Sequence, residues 1–269
     1  MRVRKNSPVQ VPTRRIPIKM DIKGVVAGIL SAMTPLYCRQ IGFRVKIDKE
    51  YNLMIVDERI AAYIFSLERE MPEKLITIEK QALADYVPII KKPTQSLLRF
   101  MLHSMKPESI LEVGAAVGFS SIFMSQYMPN NCHITTIEKM PERIEKAREN
   151  MAYAGREEKI TLLEGDAADV LQQLADEGKT FDFMFMDAAK GQYINFLPNI
   201  MKMLPVGGIL ISDNVLQDGD VVQSRYGVTR RNRTIHSRMR EYLYELTHMK
   251  EFDTIVLPIG DGVTLSTRI

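Results

Sequence analysis

The chain predicts an α/β protein: a mostly parallel seven-stranded sheet with helices on both faces and an antiparallel hairpin at its C-terminal end. Five short apolar runs, at 109–113, 133–137, 160–163, 181–186 and 208–212, are each separated by a helix-length segment. Alternation at that spacing gives parallel strands joined by helical crossovers. Two later runs, 252–257 and 263–267, flank Gly260-Asp261-Gly262, a hairpin signal that adds an antiparallel edge. Acidic residues recur at the ends of consecutive strands, where open α/β sheets bind ligands.

Taken in order, residues 1–53 form a basic extension, with 11 Lys/Arg against 3 Asp/Glu, whereas residues 54–269 carry 25 against 30. Its first part, MRVRKNSPVQVPTRRIPIK, is Pro-containing and aperiodic, which predicts flexibility. It reads as a nucleic-acid arm, as a targeting sequence, or as sequence upstream of a natural start at Met54, and the last reading is preferred. From Met54 onward the pattern is regular. Val56, Ile60, Tyr63, Ile64 and Leu67 share one helical face, ended by Met71-Pro72. A second helix spans 75–86, a loop runs through Val87 to Pro93, and Thr94 is the expected cap of the helix carrying Leu97, Leu98, Met101, Leu102 and Met105. A long helix over 232–248 precedes the hairpin.

The most informative segment is ILEVGAAVGFSS, residues 110–121: a buried strand, a Gly-containing turn, then a helix. A dinucleotide fingerprint needs G-x-G-x-x-G, but here three residues separate Gly114 from Gly118, so close packing on a pyrophosphate is not expected. Glu112, just before the turn, is placed to face an amino group, which S-adenosylmethionine has. The next strand ends in Glu138, at the spacing where a carboxylate accepts both hydroxyls of a ribose. The third leads into Gly165-Asp166-Ala167, where Asp166 accepts from an adenine amine or else caps the following helix.

The fourth and fifth strands end in Asp187 and in Asp213-Asn214. Neighbouring parallel strands would bring these three oxygen donors together, a set suited to a hard cation such as Mg²⁺ and poor for zinc. The bland alternative is a helix cap and a turn. Lys190, three residues after Asp187, is a candidate general base, because a cation beside it would disfavour its ammonium form. Beyond the fifth strand come Arg225-Tyr226, Arg230-Arg231-Asn232-Arg233, Arg238 and Arg240. Six arginines in this stretch, with an aromatic ring among them, can engage phosphates and stack on an unpaired base, or form a solvated helix face paired with Glu241 and Glu245.

Composition bounds the setting. At 269 residues, 45% hydrophobic and 26% charged, the chain is an ordinary globular protein with one sizeable core. It has no apolar run long enough to span a membrane. Its two cysteines, Cys38 and Cys132, lack zinc-like spacing, which favours a reducing cytoplasm.

The motifs LEVGAAVGFSS, TIEKMPER, EGDA, MDAAKGQY and SDNV occur in order, and residues 54–269 resemble the cation-dependent class I O-methyltransferases related to catechol and caffeoyl-CoA O-methyltransferases. The resemblance implies a Rossmann-like fold and S-adenosylmethionine-dependent methyl transfer to a hydroxyl. It implies that the Gly-rich loop and Ser120 hold the methionine part, Glu138 the ribose and Asp166 the adenine side, with Ile90 closing over the cofactor. By the same resemblance Asp187, Asp213 and Asn214 ligate Mg²⁺, Lys190 is the base, and the protein pairs as a homodimer. Bacterial members that convert the tRNA wobble 5-hydroxyuridine to 5-methoxyuridine resemble this chain in MDAAKGQY, DNVL and the basic segment. That likeness implies the tRNA anticodon region as substrate, contacted by Arg225, Tyr226, Arg230, Arg231 and Arg233; small catechols are the alternative. A dinucleotide oxidoreductase and a non-catalytic RNA-binding module are the readings from other classes.

Overall fold

The computed structural model describes residues 58–269. The expectations for residues 1–53, for a start at Met54 and for Val56 lie outside the described residues. Among the described residues the first helix, α1 (Glu58–Ser66), turns Ile60, Tyr63, Ile64 and Phe65 outward, all exposed. Helices α2 (Glu73–Ala84) and α3 (Lys92–Met105) follow. Thr94 does not cap α3: Lys91 occupies the cap position, and Pro93, whose fixed φ suits a first turn, draws the helix start forward. Thr94 is instead fully buried inside that first turn.

The sheet begins with β1 (Ser109–Val113), then α4 (Phe119–Tyr127), β2 (His133–Glu138), α5 (Pro141–Ala154), β3 (Ile160–Glu164) and α6 (Ala167–Asp176). It continues with β4 (Phe183–Met186), α7 (Tyr193–Met203), β5 (Ile209–Ser212), α8 (Arg233–His248), β6 (Phe252–Leu257) and β7 (Val263–Arg268). The order is β3-β2-β1-β4-β5-β7-β6; the first five strands are parallel, and β7 runs antiparallel to both β5 and β6. This is the expected seven-stranded architecture. The fourth strand starts two residues later than its apolar run: just before it the Phe181 N–H donates to the Met203 carbonyl (3.0 Å), outside the sheet, and the Asp182 carboxylate accepts the N–H groups of Glu108 (2.8 Å) and Ser109 (2.9 Å).

Period-2 alternation along the strands makes two cores, one on each face. Ile110, Phe183, Phe185 and Ile211 meet Leu98, Phe119 and Phe123 from α3 and α4. Leu111, Met184, Met186 and Leu210 meet Tyr193, Phe196, Met239 and Tyr242 from α7 and α8. Each of these large side chains contributes about 1.5–3 kcal/mol on burial. Free Cys132 is buried at the end of one core, and burial pushes its thiol up to about 12. Among the described residues, no helix is long and apolar enough to cross a membrane.

The consequence for function is the switch point. Chain order departs to β2 on one side of β1 and to β4 on the other, so the loops after β1 and β4 diverge and leave a crevice at the carboxyl ends of the strands.

Candidate active site

A cleft of about 980 Å³ opens at that crevice, the upper part of the size range of cofactor sites. Ile90, Gly114, Ser120, Glu138, Asp166, Asp187, Lys190, Asp213 and Asn214 all line it. Thus the strand-end residues singled out from sequence share one cavity, together with a stretch of the loop between α2 and α3.

At one end the walls come from β1, β2 and β3. Gly114 has φ +104°, and a Cβ there would lie 2.2 Å from the Asp187 carbonyl oxygen, so only glycine lets this loop pack on the end of β4. Its N–H and that of Ala115 both donate to the Ile137 carbonyl, at 3.1 and 3.0 Å. Glu138 is 6% exposed and fixed by backbone: one oxygen accepts from the N–H groups of Lys139 (2.9 Å) and Met140 (3.0 Å), the other from Ala116 (2.9 Å). A carboxylate offers about four lone-pair sites, so capacity remains for an incoming hydroxyl. Asp166 accepts from the Ala168 N–H at 3.0 Å and so caps α6, while its second oxygen lies 3.3 Å from Lys139 Nζ. The cap, with Lys139 beside it, holds its carboxyl below the usual carboxylate range while it still faces the cleft.

Two expected cofactor contacts are not brought to the cleft. Glu112 is fully buried behind the loop, opposite Thr136 in the β1–β2 register, where it accepts a short hydrogen bond from the Thr136 hydroxyl. Burial pushes its carboxyl up to about 7, against the hydroxyls of Ser120, Thr136 and Ser121, which favour the charged form. The reason is pleat: Leu111 and Val113 face one core, and Glu112 must project to the opposite face, under α4. Gly118, with φ +79°, precedes the first residue of α4 and fits against Ala147 of α5.

At the other end lie the donors from β4 and β5. Asp187 Oδ1 accepts from Lys190 Nζ at 2.9 Å and from Asn214 Nδ2 at 3.0 Å. Asp213 is 3% exposed and accepts from the Asn214 N–H at 2.8 Å, with Thr94 Oγ1 at 3.5 Å, the limit of hydrogen bonding. Burial first, and then the nearby Asp187 charge, push the Asp213 carboxyl up to about 7. Two mutually repelling carboxylates plus an amide fit a hard divalent cation, which would relieve that repulsion. Among the described residues no group of three His, Cys, Asp or Glu side chains could hold a metal ion, so a cation here would need the Asn214 amide as its third protein donor. Asn214 would rotate its amide to present Oδ1.

Sequence reasoning missed three contributors. Tyr193 lies beneath the ends of β4 and β5 with its hydroxyl among three backbone groups, and burial raises its ionisation well above the ordinary tyrosine range. Asp261, in the β6–β7 turn, lines the cleft and pairs with Lys91; the turn is anchored by the Val215 and Leu216 N–H groups donating to Gly262 (3.0 Å) and Asp261 (2.9 Å) carbonyls. Thr94 is the third. Each was visible only as a turn, cap or apolar residue, since its role depends on long-range packing.

The basic residues lie outside the cleft lining. Arg225, Tyr226, Arg230 and Arg231 are exposed, and the Arg233 guanidinium lies over the Tyr226 ring at 5.7 Å. Arg238 instead donates to the Gly191 carbonyl at 3.0 Å, bracing the turn that follows Asp187.

Sheet order, antiparallel seventh strand and cleft together define a Rossmann-like methyltransferase fold. The chain belongs to the O-methyltransferase family, whose model matches residues 65–269. Among curated relatives it is 31% identical over 179 residues to caffeoyl-CoA O-methyltransferase 2 of Populus trichocarpa, covering 64% of this chain and 71% of that one. It is 27% identical over 213 residues to a catechol O-methyltransferase of Niastella koreensis, covering 75% and 96%. The crystal structure of a Bacillus cereus O-methyltransferase in complex with S-adenosylhomocysteine shares the fold, with TM-score 0.70, 20% identity, and 78% and 97% of the two chains covered.

Proposed function

We propose that this O-methyltransferase uses S-adenosylmethionine and Mg²⁺ to methylate 5-hydroxyuridine at the wobble position of a tRNA anticodon. The observation that carries the reading is the single cleft that joins Glu138 and Asp166 at one end to Asp187, Asp213, Asn214 and Lys190 at the other. The S-adenosylhomocysteine held by the Bacillus cereus relative supports the donor.

Glu138, Asp166, Ser120 and the Gly114 loop would hold the methyl donor, and Asp187, Asp213 and Asn214 the cation. When bound, the donor supplies an electrophilic methyl group, and the cation lowers the pKa of a hydroxyl beside it. Lys190, whose Nζ donates to Asp187 Oδ1 at 2.9 Å, would take that hydroxyl's proton as a neutral amine, the form favoured once Asp187 turns to a bound cation. The backbone bonds on Glu138 and the close packing of Gly114 on Asp187 set the two ends of the cleft relative to each other, and in-line transfer depends on such fixed geometry. Buried Ile90 in the cleft wall helps exclude water.

The tRNA acceptor is supported by the exposed basic segment directly after β5, whose arginines suit phosphates and whose Tyr226 suits an unstacked base. The 5-hydroxyl and the uracil O4 also present two neighbouring oxygens, as a catechol does. A small catechol or caffeoyl-CoA-like acceptor is the second reading, favoured by the activities named for the two curated relatives. Incubation with labelled S-adenosylmethionine, Mg²⁺ and either hydroxyuridine-containing tRNA or a catechol panel separates them. Label is expected on the tRNA; label on catechols alone would replace this acceptor with the second.

A further inference from the structure

The two carboxylates at the end of the cleft stand on different strands, and something must hold those strand ends in register beyond the last rung of the ladder. That rung is the Asp213 N–H donating to the Met186 carbonyl at 2.9 Å. Past it, the Tyr193 hydroxyl lies 3.2 Å from the Met186 carbonyl, 3.0 Å from the Asp213 carbonyl and 3.3 Å from the Ala188 N–H. One hydroxyl therefore touches the peptide groups on both sides of Asp187 and the carbonyl of Asp213. Its proton serves the two carbonyls and its lone pair accepts the amide.

The side chain that delivers this hydroxyl is itself immobilised. Tyr193 is fully buried at the first turn of α7, and its ring meets that of Tyr242 edge-on, centroids 5.5 Å apart at 78°. The Tyr242 hydroxyl in turn bonds the Ser212 side chain at 2.6 Å. The two tyrosines differ: the Tyr193 hydroxyl meets the Asp213 carbonyl and the peptide groups flanking Asp187, whereas the Tyr242 hydroxyl meets side chains, Ser212 among them.

We propose that Tyr193 is a positioning residue whose hydroxyl sets the spacing of Asp187 and Asp213, and through that spacing the affinity of the site for a divalent cation. The inference rests on the cation-dependent reading above. Outer-shell partners of metal ligands commonly change metal affinity by about 10- to 100-fold when removed, because the ligands then lose the geometry the ion requires.

The test is calorimetric titration of Mn²⁺ alone into the wild-type, Tyr193→Phe and Tyr242→Phe proteins, with S-adenosylmethionine affinity measured in parallel. Phenylalanine keeps the ring and most of the packing, and thermal unfolding checks that each variant is folded. The expected result is a loss of Mn²⁺ affinity of about 10-fold or more for Tyr193→Phe, with Tyr242→Phe and both cofactor affinities within about twofold of wild type. Near-wild-type Mn²⁺ affinity in Tyr193→Phe would overturn the proposal, as would equal losses in both variants, which would mark a general loosening of the fold. If Tyr193→Phe does not fold, Tyr193→Leu, which also removes the hydroxyl and adds no volume at this fully buried position, is judged by the same criteria. If the wild-type protein itself binds no Mn²⁺, the cation-dependent reading falls and this inference with it.

Discussion

Replacing Gly114 by alanine tests the physical link between the two ends of the cleft. The added Cβ would meet the Asp187 carbonyl oxygen at 2.2 Å, its carbonyl carbon at 3.0 Å and Ala188 Cα at 3.3 Å, all backbone atoms that no rotamer can move aside. The residue would also hold φ +104°, which costs an L-amino acid about 1–3 kcal/mol. Overpacking of this kind adds about 1–3 kcal/mol. The sum, about 2–6 kcal/mol, lowers the melting temperature by about 4–24 °C at about 2–4 °C per kcal/mol for a domain of this size. Gly155→Ala is the matched control: φ is +68°, but nothing lies within 4 Å of its Cβ, so only the conformational cost applies. Thermal unfolding followed by circular dichroism should show Gly114→Ala losing clearly more than Gly155→Ala. Equal losses would refute the claim that Gly114 is required by its contact with the end of β4.

Glu112→Gln should change how stability depends on pH. The folded carboxyl, near 7, holds its proton more tightly than an unfolded glutamate at 4.5, so wild-type stability falls as pH rises through that window. The variant should match wild type near pH 5 and unfold at higher temperature near pH 8; a constant difference at both pH values would contradict the assignment. Arg230→Glu combined with Arg231→Glu reverses charge on an exposed surface outside the cleft, so transfer to tRNA should fall by at least tenfold while S-adenosylmethionine affinity stays unchanged. Unchanged modification would demote the segment to solvated surface.

Local sequence revealed most of what local rules control. Strand alternation, the Gly260-Asp261-Gly262 turn and the strand-end acids could all be read from periodicity and residue type, and the parallel order followed from helix-length spacing. Glu112 shows the limit: its position beside a Gly-rich turn suggested the cofactor, but the pleat of β1 turns it beneath α4. Thr94 looked like a cap until Pro93 moved the start of α3. Tyr193 ends the motif MDAAKGQY and Asp261 sits in the hairpin turn, but their places at the site depend on contacts between elements distant in sequence. Asp166 was legible both as a cap and as a cleft residue, and the structure assigns it both positions.

The most direct test of the central claim is transfer of label from S-adenosylmethionine to hydroxyuridine-containing tRNA, measured across graded Mg²⁺ and after chelation with EDTA. Saturable dependence on Mg²⁺, loss of transfer in EDTA and recovery on adding the ion back are predicted. Full activity in EDTA would contradict a cation held by Asp187, Asp213 and Asn214.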